Sequence, residues 1–255
     1  MFSITTPYSS NRLAQLAQAI KRRNSLPDCC SYTLDQAAAL ESEIRSWLQE
    51  LPPALQIPLD DDLTQTTPHM ANETKTKGLH GFELAIIGNF LIMNVYMPFL
   101  DRAGRDSCNS VPQNFPATSS CTLAAQAIIH LSKELQSFLT SAGTVVPTLP
   151  MMFDFYPLDK LVFTAVVACA HAAFARKNLS FSFNAATMAQ DVAVGLDVLS
   201  FLSTSVTGPR FPCSEMKKVM DMLQDRLSHR KSVTKRKHDH IDLPPFRGSS
   251  ELDLD

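Results

Sequence analysis

The chain has 255 residues, of which 45% are hydrophobic and 19% charged, with a formal net charge of -2. These proportions exclude an intrinsically disordered chain and allow a substantial core. The near-neutral balance also excludes a global pull toward nucleic acid or anionic membranes, so any such contact needs a local basic patch.

Eight glycines, with abundant Ala, Leu, Met and Gln, favour helix over turn-rich β-structure. No run alternates apolar and polar residues over a strand's length. The expected class is all-α, an irregular bundle of about seven helices over residues 1–228 with a disordered basic and acidic tail over 229–255. The N-terminal MFSITTPYSSNRLAQ has neither a basic leader nor an apolar core, so no signal peptide is expected. The six cysteines (Cys29, Cys30, Cys108, Cys121, Cys169 and Cys213) form no Cys-x-x-Cys pair and no zinc-finger spacing. They are expected to be reduced, structural thiols.

In chain order, residues 10–23 read as a first helix, capped by Ser10 and closed by the basic Lys21, Arg22 and Arg23. Thr33-Leu34-Asp35-Gln36 is a capping box that opens a second. Along it Ala37, Leu40, Ile44, Trp47, Leu48 and Leu51 recur at three- and four-residue steps. This helix carries the chain's only tryptophan and ends abruptly at Pro52-Pro53. Burying that ring in a core is worth on the order of 3–5 kcal/mol against alanine.

Residues 52–78 are polar and proline-containing and read as a long loop bearing Asp60-Asp61-Asp62. The triplet has no second acidic motif downstream to complete an octahedral magnesium site, so a solvated loop is expected. Residues 79–100 form a helix that is apolar nearly all round; its uncharged stretch, 84–100, falls short of the roughly 20 predominantly apolar residues of a membrane span and carries Gly88, Asn89 and Asn94. A buried central helix is the expectation, with no membrane partner. A fourth helix is expected over Ser119–Ala142, a fifth over 154–176, a sixth from an Asn184 cap to about 203, and a seventh from Ser214.

His80, His130 and His171 fall on separate helices with no partner at metal-ligand spacing. There is no Gly-rich phosphate loop, no Gly-x-Ser-x-Gly elbow and no supported Cys/His pair, so no catalytic residue, metal ligand or cofactor site is assigned. Arg230, Lys231, Lys235, Arg236 and Lys237 form a basic cluster of the nuclear-import kind, and the closing ELDLD has the acidic–hydrophobic alternation of activation segments.

Taken in order, four pieces resemble the fungal-specific transcription factor domain, the all-helical middle region of fungal zinc-cluster regulators. These are the Trp47 helix followed by Leu51-Pro52-Pro53, the apolar helix ending in Pro98-Phe99-Leu100, the Cys121/Ala124/Ala125 helix, and the aromatic FDFYPLDKLVF stretch with the helix after Asn184. Together they span about residues 33–205. Met97 stands where the family usually has arginine, and the family's six-cysteine cluster is absent from these residues, so zinc enters only through an upstream cluster. The resemblance implies a nuclear, non-catalytic regulatory module. Its partners would be proteins of the transcription machinery or a second copy, with no direct DNA contact by this chain. The alternative is a helical scaffold with no DNA-linked role. A small-molecule effector, if bound, is expected between the apolar helices 79–100 and 154–176, oriented by Asn89, Asn94 and His171.

Overall fold

Apolar residues at helical spacing and strong helix formers between proline-marked breaks leave little choice but a helical array. A computed structural model describes residues 7–24, 33–56, 68–105, 115–141, 157–174, 185–205 and 214–238. Among these residues there are seven α-helices and no strand: α1 (Pro7–Asn24), α2 (Leu34–Gln49), α3 (Pro68–Arg105), α4 (Phe115–Ser141), α5 (Leu158–Phe174), α6 (Ala185–Ser205) and α7 (Ser214–His238). The all-α class and the number of helices are as the sequence leads one to expect.

Local chemistry explains the second helix in detail. Thr33 Oγ1 accepts from the Gln36 amide at 3.3 Å, and Gln36 Oε1 accepts from the Thr33 amide at 3.5 Å, which closes the capping box. At the other end, the helical donor for the Gln49 carbonyl would be residue 53, a proline with no N–H. The Gln56 side chain replaces it, donating to the carbonyls of Gln49 at 3.4 Å and Leu51 at 3.0 Å. A single 3-10 turn over Pro53–Leu55 turns the chain against α3. Trp47, Leu51 and Leu55 are all buried at this corner. The tryptophan thus anchors the helix end while the prolines force the exit.

Several expected boundaries move, and α4 begins at Phe115 instead of Ser119. Helix α1 starts at Pro7 instead of behind a Ser10 cap, because proline suits the first helical position, where no N–H is needed. Helix α3 starts at Pro68 for the same reason, so residues 68–78 are helical where a loop was expected. Their polar sequence carries no apolar stripe, which is why periodicity missed them. Helix α3 also runs on through Pro98 to Arg105. Helix α7 continues to His238, so the basic residues 229–238 belong to a helix and not to a disordered tail. Lys and Arg are good helix formers and suit a helix C-terminus. Asp60, Asp61, Asp62, Asn184 and residues 239–255 lie outside the described residues.

Helix α4 is the hub. It packs on α3 and also on α5 and α6, whereas α3 and α5 barely meet. Two glycines permit the closest approaches. A Cβ at Gly88 would come within 2.9 Å of the Leu48 methyl carbons, and one at Gly195 on α6 would overlap Val166 Cγ2 on α5 while lying 3.4 Å from Ile129 on α4. Val166 is β-branched and stiff, so it cannot swing away. Gly195→Ala is therefore expected to cost about 1–3 kcal/mol in urea unfolding, with much of the loss recovered in a Gly195→Ala/Val166→Ala double variant.

Pro98 has a second consequence. Without an N–H it cannot bond the carbonyl of Asn94 one turn earlier. That carbonyl instead accepts from Asn24 Nδ2, at the C-terminal end of α1, at 3.2 Å. The proline thus frees a backbone acceptor that fastens α1 to α3. Asn24→Ala should cost about 1 kcal/mol in the natural chain and close to nothing in a Pro98→Ala background, where the helix bonds its own carbonyl. A double-mutant cycle by chemical denaturation measures that coupling.

Candidate functional site

The three residues expected to orient an effector do not share a cavity. Asn89 Nδ2 donates to the Ala85 carbonyl at 2.8 Å, and Asn94 Nδ2 donates to the Phe90 carbonyl at 3.0 Å, each one turn back along α3. Helices α3 and α5 meet only slightly, while α4 packs against both. Gly78–Phe99 of α3 is long and apolar enough to cross a bilayer, but two-thirds of it is buried within the fold.

His171 sits elsewhere, on the exposed side of α5, where it lines a cavity with Val167, Ala170, Val219, Met222, Leu223 and Arg226. This open groove between α5 and α7 has a volume of about 240 Å³, below the roughly 300–1,000 Å³ of drug-sized sites. Its floor is aliphatic and its only charged or titratable lining groups are Arg226 and His171. Among the described residues, the exposed large hydrophobics are Leu123 (50%), Val167 (38%) and Met222 (46%). Two of the three therefore stand at this one groove.

Titratable groups also meet within the helix array, and two of these clusters tie helices together. Glu41 of α2 accepts from the Tyr96 hydroxyl of α3 at 2.6 Å and pairs with Arg45 Nη2 at 2.6 Å. Burial pushes its carboxyl up, but hydrogen bonds from Tyr96, Arg45 and Ser120 and the arginine's charge outweigh that and hold it below its ordinary value. Asp191 of α6, almost fully buried, accepts from Gln126 Nε2 of α4 at 2.6 Å and lies 3.1 Å from His130 Nε2. The thiols of Cys121 and Cys169 are buried and unbridged. Burial pushes Cys121 up to about 12, and pushes Cys169 up as well, helped by the nearby Asp191 carboxylate. Both stay protonated at neutral pH and neither is an activated nucleophile.

Sequence reasoning missed Glu83. It is fully buried on α3, with Oε2 3.1 Å from His80 Nδ1 and Oε1 without a hydrogen-bond partner. Ser132 Oγ of α4 is also buried and unpartnered. A lone acid in an apolar run is the only signal the sequence gives for such a site. The Glu83 hydrogen bond raises the His80 pKa above its ordinary 6.5 against an opposing desolvation, and the carboxylate's charge adds to the rise. A raised histidine stabilises the fold fully below pH 6.5 and loses that contribution as pH climbs through the raised value. Urea stability should therefore fall from pH 6 toward pH 8, and His80→Gln should flatten that part of the profile.

The basic residues Arg230, Lys231, Lys235, Arg236 and Lys237 all lie on the C-terminal part of α7. Among the described residues no group of three or more His, Cys, Asp or Glu side chains converges as a metal site. Comparison with known proteins found no matching family model, no matching curated protein and no matching solved structure.

Proposed function

We propose that this chain is a non-catalytic regulatory module of a fungal zinc-cluster type of transcription factor, acting in the nucleus through protein contacts. The resemblance of its motifs, in their order, supports the family side of this reading. Three of those motifs also have a packing role in the fold. Trp47 is buried at the corner that Pro52-Pro53 creates, Phe99 is buried on α3 beside Pro98, and Cys121, Ala124 and Ala125 are buried in α4. Cys121 Sγ lies 3.8 Å from the Met93 carbonyl, so this small-residue helix meets α3 closely.

The single observation that carries the protein-contact part is the α5–α7 groove. It concentrates exposed aliphatic surface beside Arg226, and its small volume suits side chains of a protein segment better than a free effector. The helical basic stretch at the end of α7 is the natural import signal in this reading. A helical scaffold with no DNA-linked role would use the same groove.

Fusing the chain to an unrelated DNA-binding domain tests the proposal in a reporter strain. The fusion should change reporter output several-fold, and Met222→Glu, at an exposed position, should abolish the change without lowering protein abundance. A fusion that is folded, nuclear and silent would leave the scaffold reading in its place.

A further inference from the structure

The groove needs an occupant, and the chain itself carries one of matching chemistry. The floor between α5 and α7 is aliphatic, formed by Val167, Ala170, Val219, Met222 and Leu223, with Arg226 and His171 on its lining. Asp221 and Asp225 of α7 are exposed and outside that lining. A complementary segment is therefore short, aliphatic on one side and acidic on the other.

Residues 239–255, DHIDLPPFRGSSELDLD, have this composition: Asp239, Asp242, Glu251, Asp253 and Asp255 against the single Arg247. At the end, Glu251-Leu252-Asp253-Leu254-Asp255 alternates strictly. In extended chain successive side chains point to opposite sides, so both leucines share one side and the three carboxylates the other.

Reach is sufficient. From Arg226 to the end of α7 at His238 the helix advances about 18 Å at 1.5 Å per residue. From His238 to Leu252 an extended chain can cover about 45 Å. Pro244, Pro245 and Gly248 are residue types at which a chain reverses. Tethering of this kind gives an effective concentration in the millimolar range, so a contact of two side chains needs little intrinsic affinity.

We propose that residues 239–255 fold back along α7 and seat Leu252 and Leu254 in the α5–α7 groove, with Glu251, Asp253 and Asp255 beside Arg226 and His171. The inference rests on reading the groove as a protein-docking surface and goes further by naming what covers it in the isolated chain. An external partner of the same acidic–aliphatic chemistry would have to displace this segment.

Photo-crosslinking of the full chain tests the contact. Met222 is replaced by p-benzoylphenylalanine, the protein is irradiated at micromolar concentration, and the products are mapped by mass spectrometry. The expected result is crosslinking within one chain, to residues 250–255, in a yield independent of protein concentration and reduced at least fivefold in a Leu252→Asp/Leu254→Asp variant. Three results would overturn the proposal: crosslinks joining two chains only, crosslinks to other parts of the same chain only, or an undiminished yield in the double aspartate variant. Failure here leaves the reporter result of the fusion protein untouched, whereas a silent fusion with an intact crosslink removes the transcriptional reading and keeps the contact.

Discussion

A helix that touches three neighbours cannot be amphipathic in the ordinary sense, and α4 meets α3, α5 and α6 at once. Cys121, Ala125 and Ile128 are buried along one line of it, and Cys121 reaches the Met93 carbonyl of α3. Ile129, one turn beyond Ala125, lies beside Gly195 of α6. Small residues make this crowding feasible: Ala117, Cys121, Ala124 and Ala125 let backbones come close, and Gly195 gives Val166 the space a side chain would fill. Remove that space and α5, α6 and α4 cannot all keep their places.

Apolar helices packed in this way could slide or rotate at modest cost, and polar ties remove that freedom. Glu41 holds α2 to α3 through Tyr96, Asp191 holds α6 to α4 through Gln126 and His130, and Asn24 holds α1 to the carbonyl that Pro98 leaves open. Each is a directional bond between different helices, and the Glu41 and Gln126–Asp191 bonds are partly buried, where a misplaced partner leaves a polar group unsatisfied. Glu83 and Ser132 are where that satisfaction is incomplete. The Pro-Phe element, which reads as a helix end in the sequence, is instead a device inside a helix.

The proposed contact surface lies at the opposite end of this order. Helix α7 packs chiefly on α6 and buries Leu223 and Leu227 while leaving Met222 in solvent. An element with one packed side opens at lower free energy than the hub, which suits a surface that exchanges partners. The aliphatic groove and the basic helical stretch both belong to α7. The proposed docking and import features thus lie on a helix with few contacts to the core.

The sequence by itself determined the all-α class, the number of helices, the capping box at Thr33, the buried tryptophan and the inert buried thiols. These follow from spacing, caps and composition, which act within a few residues. It did not determine the polar beginning of α3 or the basic end of α7, because a helix without an apolar stripe has no periodic signature. Asn89, Asn94 and His171 could be picked out as polar groups on apolar helices, yet only the tertiary structure decided what each does. The two asparagines bond to their own helix, and the histidine lies at a groove whose other wall comes from a helix more than forty residues further on. The buried Glu83 and the Gly195 contact were hidden for the same reason: burial and close approach are made by residues distant in the chain, and no local pattern records which helix will arrive.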